Sequence, residues 1–292
     1  MRSLNVATFD IVSTSLRALG LVSALQAAGA TIFLSLFGND IENSIRAVRV
    51  LARRAAVLGI LVTAVYQMAE PARMLGALSG MLDGSLHAML LQSDVGTAHA
   101  IRVLGLLIIA LALSTTNRAA HAFALMGATL VSASFAFMGH TANHDQRWML
   151  AVLLTLHITI AAFWFGALLP LFIANKREAA REYGQVVLRF SAIATWLVPV
   201  ILLAGTAMML GLLPSFSSLQ TPYGLSVLLK VALLAVLMVI ASVNKWSFGP
   251  RIATGANGAR YSFNRAIIAE WMLIASVLVV TAAMTSNFSP NA

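Results

Sequence analysis

The sequence contains no cysteine. Disulfides and thiolate-held metals are therefore excluded, and any metal must be held by nitrogen, oxygen or thioether. Charge is scarce as well. Only 10% of the 292 residues are Asp, Glu, Lys or Arg, against about 25% in a typical soluble domain, too few to wet a globular surface. No stretch resembles a nucleotide-binding loop, so nothing supports ATP-driven pumping.

What is present is apolar: 60% hydrophobic residues and a mean hydropathy of +0.87, arranged in long, nearly charge-free runs. These predict an all-α, polytopic helical membrane protein forming a single membrane domain over residues 1–292. Eight spans are expected, near 11–37, 51–69, 97–115, 119–138, 148–174, 190–212, 223–243 and 267–286. The N-terminal run is too long for a cleavable signal and carries Asp10 and Arg17, so it reads as the first span.

The net charge of +9 does not imply nucleic-acid binding, because the basic residues fall in the short gaps between apolar runs. Thirteen of them (Arg46, Arg49, Arg53, Arg54, Arg118, Lys176, Arg177, Arg181, Arg189, Lys245, Arg251, Arg260 and Arg265) fall on one side of the eight-span topology; Arg2, Arg73 and Arg147 fall on the other. The positive side is expected to be cytoplasmic and both termini periplasmic, in a bacterial inner membrane. Residues 71–96 are too apolar for a wet loop and too interrupted for a span. They read as an external interfacial or re-entrant segment.

In this topology five of the six histidines gather at the outer side. His87 lies in the external segment, His99 at the start of the third span, and His140 and His144 in the loop after the fourth. His157 lies about 13 Å down the fifth span; His121 alone is near the cytoplasmic face. Met68, Met74, Met81, Met89, Met138, Met149, Met208, Met209 and Met284 also favour the outer half. Imidazole with thioether and no thiolate suits a copper ion, as Cu(I) or Cu(II). Methionine is equally an ordinary core or lipid-facing residue, and a loop histidine is commonly just solvated. A ring at the depth of His157 needs a partner, a metal or an interhelical hydrogen bond. The candidate ligands are His140, His144, His157, His99, His87, Met81 and Met89.

Other polar groups within the spans call for partners too. Asp10 and Arg17 suggest a pair. Lys230 has none in its own helix, with Glu70 or Asp10 as guesses. His99 and Arg102 share a face, where Arg102 either borders the metal, binds an anion or snorkels to the interface. Trp164 shares a face with His157, and Gly166 thins the helix for a neighbour. Glu270 reads either as a gating or proton-coupled carboxylate or as a helix-dipole partner. A haem-b electron-transfer protein, with His99 paired to His157 or His140, is the alternative function. A copper-binding partner of an exported metallochaperone, one that transports nothing, is another.

Several pieces together resemble the copper resistance D family, the inner-membrane CopD/PcoD-type proteins. They are GH at 139–140, LHITIAAFWFGALLPLF at 156–172, RFSAIA at 189–194 with GT at 205–206, YGLSVLLKVALL at 223–234, ASVNKW at 241–246 with Pro250, and AEWMLIASVLVV at 269–280. They run in order over roughly 97–287, with Gly-Ala at 166–167 where the family has Gly-Gly. The resemblance implies an eight-helix copper-handling membrane protein, often partnered with a separate periplasmic CopC-like copper-binding protein. It carries over His140, His157, Trp164, Gly166, Pro170, Lys230, Asn244 and Glu270 as residues that bind the metal, support its ligands or gate its passage. Copper transport starting from a periplasm-facing His/Met site is the leading expectation.

Overall fold

A computed structural model describes residues 2–138, 146–212, 219–254, 256 and 258–287. Every regular element among them is helical. The helices are α1 (Arg2–Phe37), α2 (Ile45–Leu75), α3 (Gly84–Gln92), α4 (Asp94–Ala112), α5 (Arg118–Ala133), α6 (Arg147–Arg177), α7 (Ala180–Leu212), α8 (Pro222–Val243), α9 (Gly249–Ala253) and α10 (Ala259–Asn287). Seven helical stretches among the described residues are long and apolar enough to cross a membrane: Thr8–Asp40, Asp94–Ala112, Arg118–Phe137, Arg147–Arg177, Ala180–Gly211, Pro222–Ile252 and Ala259–Ser286. Seven of the eight expected spans thus have a counterpart, and α2, which opens among four arginines, is not in that set.

The helix ends follow local chemistry. Gly76 (φ 68°) terminates α2 in the left-handed conformation that a side chain resists. Asp83, Ser93, Asn117 and Thr221 accept backbone N–H groups at the starts of α3, α4, α5 and α8. Pro222 at the head of α8 gives up no helical hydrogen bond. Between α2 and α4 the chain makes a short 3₁₀ turn, Leu78–Leu82, and then the nine-residue α3. Neither is long enough to cross a bilayer.

The central helix is α1, packed against α2, α4, α5, α6 and α10. Its closest approach is to α6: a Cβ on Gly166 would lie 2.5 Å from the Cα of Gly29. Such backbone contact is how helices associate where no water drives them together. Gly105 and Gly127 bring α4 and α5 together in the same way.

Polar contacts sort into two ends. At one, Arg189 pairs with Asp40 at 2.6 Å, Asn43 donates to Glu178 at 3.0 Å, and Arg260 donates to the side chain and carbonyl of Asn175. This end carries the basic loops. At the other, Arg73 reaches Asp10 at 3.4 Å, and Arg17 donates to the Thr285 carbonyl and the Ser286 hydroxyl. The expected Asp10–Arg17 pair is thereby overturned. Two helical turns, about 10 Å, separate these residues along α1, and each finds a nearer partner on another helix.

Candidate functional site

At the end opposite the basic loops, α4 turns His99 and Arg102 onto its buried face. His99 Nδ1 lies 2.8 Å from Gln67 Oε1, and its ring meets Tyr66 edge-on at 5.3 Å. With the Gln67 amide oxygen facing the ring, Nδ1 carries the hydrogen and Nε2 keeps a lone pair. Metal-binding histidines are held in this way, by a second polar group on the non-ligating nitrogen. Arg102 does not snorkel. It is 7% exposed, donates to Ser134 Oγ at 3.1 Å and Met138 Sδ at 3.4 Å, and stacks 4.0 Å over Phe135.

Beside this pair lies a carboxylate network. Glu70 is buried, accepts from Ser13 at 3.1 Å and is bonded to Arg73, which also holds Asp10. Both acids guessed as partners of Lys230 are therefore engaged by Arg73. Lys230 lies instead within electrostatic range of His157.

His157 sits ten residues into α6, about 15 Å from its start. Its Nδ1 is 3.2 Å from the carbonyl oxygen of Ile201 on α7. Gly205, one turn further along α7, leaves room for the ring: a Cβ there would be 3.3 Å from His157 Cε1. A carbonyl only accepts, so here too Nδ1 donates and Nε2 stays bare. The interhelical bond and the ligand role are compatible.

The remaining candidates are dispersed. His87 Nε2 donates to the Met81 carbonyl at 2.9 Å, leaving Nδ1 bare. His121 contacts the Asn117 carbonyl at 3.0 Å and Arg49 at 3.4 Å, so both its nitrogens are occupied. Met81 is half-buried; Met68, Met74, Met89 and Met149 face outward. Met208 and Met284 are buried towards the same end. Met126 and Met272, donors in the other half of the bundle, also face outward. His140 and His144 lie outside the described residues. His99 bonds into α2 and His157 into α7. Among the described residues no three His, Asp or Glu side chains group closely enough to hold a metal ion.

Deeper in the bundle, three residues from three helices do converge. Glu270 of α10 accepts from Asn244 Nδ2 at 2.5 Å and from Trp164 Nε1 of α6 at 3.5 Å. Asn244 begins a π-helical turn, Asn244–Phe248, that continues α8; such wide turns recur at functional sites. Next to it Gln26 of α1 donates to the Gly166 carbonyl at 3.0 Å and accepts from Trp271 Nε1 at 3.2 Å. Gln26, Gln67 and Trp271 were not anticipated from the sequence. The signal available for Gln26 was an amide in the middle of the small-residue run ALQAAGAT, on a helix that every neighbour must approach closely.

Comparison with known proteins covers most of the chain. A family model described as "Copper resistance protein D-like, N-terminal domain" matches residues 8–148, and one described as "Copper resistance protein D" matches 184–284. The chain is 28% identical over 231 residues to "Copper resistance protein D" of Pseudomonas syringae pv. tomato, covering 73% of this chain and 74% of that one. It is 29% identical over 160 residues to "Copper transport protein CutJ" of Bacillus subtilis, 53% of this chain but only 28% of that protein. It is 30% identical over 128 residues to "Inner membrane protein YebZ" of Escherichia coli, 43% of this chain and 44% of that one. No solved structure matches.

Proposed function

Because the chain belongs to the copper resistance D family of polytopic membrane proteins, we propose that it moves copper across the bacterial inner membrane, inward from its His/Met-bearing end. In this reading α2 supplies an eighth crossing, both termini lie in the periplasm, and a separate CopC-like protein delivers copper to the outer mouth. The observation that carries the proposal is the state of two imidazoles, His99 buried and His157 half-buried. His99 and His157 each place Nδ1 against an oxygen acceptor and have no partner for Nε2 among the described residues, in the half of the bundle away from the basic loops.

The chemistry follows from those donors. Neutral imidazole accepts copper in either oxidation state, and thioethers such as Met81, Met138 and Met208 favour Cu(I). His140 and His144 would add two further nitrogens at the mouth. Arg102, fixed beside His99, weakens the hold of that position on any cation. A conducting site must release what it binds. His157 then takes the ion into the bundle, towards the Trp164–Asn244–Glu270 cluster two turns further along α6.

The test is Cu(I) uptake into proteoliposomes containing the purified protein. Wild type should accumulate copper, His157→Ala should lose at least tenfold in rate, and His121→Ala should retain it. Equal flux in wild type and His157→Ala would remove the imidazole from the path. Copper-binding protein with no flux at all would leave a receptor in place of a transporter.

A further inference from the structure

Glu270 lies eleven residues into α10 but only three residues into the apolar run 267–286, towards the end that carries the basic loops. It is 3% exposed. Its two oxygens meet only neutral donors, Asn244 Nδ2 and Trp164 Nε1. The elements packed against α10 supply no compensating cation among the described residues. From α1 comes Gln26, while Arg17 is bound to Thr285 and Ser286. From α6 comes Trp164. From α8 and its wide turn comes Asn244, with Lys245 turned onto Trp246 and Lys230 near His157. Arg251 of α9 is exposed, and on α10 itself Arg260 is bound at Asn175 and Glu178 while Arg265 is exposed.

An ionised carboxylate buried without a cation is expensive, whereas a neutral carboxylic acid is tolerated. The local geometry suits the acid. A separation of 2.5 Å is shorter than N–H···O bonds run and falls at the short end of the O–H···O range. The two ends of an asparagine amide have the same shape, and Asn244 Oδ1 is buried with no partner among the described residues. Turning that amide over lets the Glu270 hydroxyl donate to Oδ1.

We infer that Glu270 carries a proton at rest and gives it up in exchange for the cationic cargo. As Cu(I) leaves His157 and nears the cluster, the Glu270 O–H bond breaks, its electron pair stays on the carboxylate, and the proton passes to water. One positive charge replaces another, so the net charge of the cluster is unchanged. The Asn244–Phe248 turn, wider than an α-helical one, gives Asn244 the freedom to follow the carboxylate. Proton occupancy stands on the cluster alone; the exchange rests on the transport reading.

The two are separated by infrared spectroscopy on the full-length protein in lipid nanodiscs, set beside uptake into proteoliposomes. The wild type should show at neutral pH a protonated-carboxyl band that Glu270→Gln lacks and that Cu(I) diminishes. Glu270→Gln, with the same size-exclusion profile, should lose at least tenfold in uptake and lose the pH dependence of what remains. Absence of a Glu270-dependent band would overturn the inference, as would a band unmoved by Cu(I) or a variant that transports like wild type. Uptake by neither protein would sink the transport reading and the exchange with it, while a Glu270-dependent band would still place the proton there.

Discussion

A buried imidazole is useful to a metal only if one nitrogen is committed elsewhere, and the partner differs at each histidine here. For His157 it is the Ile201 carbonyl, a backbone atom; for His99 it is the Gln67 side chain, which can be removed. Gln67→Leu should therefore leave His99 in place with an unfixed ring. A loss of roughly 10- to 100-fold in Cu(I) affinity is expected, the range for outer-shell partners, read by competition against a Cu(I) chelator. Unchanged affinity would place copper elsewhere. The sequence showed that His157 needed a partner, and the family resemblance named Trp164, Asn244 and Glu270 among eight carried-over residues without setting these three together. It could not show the Ile201 carbonyl, because a backbone acceptor on another helix leaves no mark in residue type. Nor did it show that Asp10 and Arg17 would separate, since the choice among several polar partners depends on how α1, α2 and α10 pack.

Between helices the decisive contact is the crossing of α1 and α6. A methyl on Gly29 would lie 1.7 Å from the Ala162 carbonyl oxygen, and both backbones are fixed by long helices. Gly29→Ala should lower stability by about 1–3 kcal/mol or more, the scale of overpacking, seen as an earlier thermal transition in detergent. At α3 the relevant force is a cap. Asp83 is partly exposed, and the Ser85 hydroxyl and the Leu86 and Ser85 N–H groups hold its carboxyl below the usual Asp range. Its folded value is the depressed one, so the cap is complete above the ordinary Asp range and fails as pH falls through the lowered value. Hydrogen-exchange protection in α3, taken relative to the intrinsic rate, should fall in acid for wild type and be low at every pH for Asp83→Ala. The spans were legible because a twenty-residue apolar run has few other uses. Their ends were less so: α7 and α10 begin ten and eight residues before the apolar runs do, because polar residues continue a helix past the membrane boundary without changing its geometry.

The whole molecule has a direction, set by which residues collect at each end. Asp10, Arg73, His99 and Met138 meet at one, and Asp40, Arg189, Asn175 and Arg260 at the other. The positive-inside rule predicts that the second end is cytoplasmic, and the proposed capture of copper from outside requires the first to face the periplasm. A chain without cysteine allows a clean check by single substitutions at exposed sites. Ser79→Cys should react with a membrane-impermeant maleimide in cells whose outer membrane alone has been opened. Glu42→Cys, Thr116→Cys and Thr254→Cys should react only after the inner membrane is breached. Glu42 precedes α2 and Ser79 follows it, so labelling from opposite sides makes α2 a crossing and raises the count from seven to eight. Labelling of both from outside would leave α2 lying on one face. Labelling of Ser79 from the cytoplasmic side would turn the histidine end inward, and copper would then have to be captured from the cytoplasm.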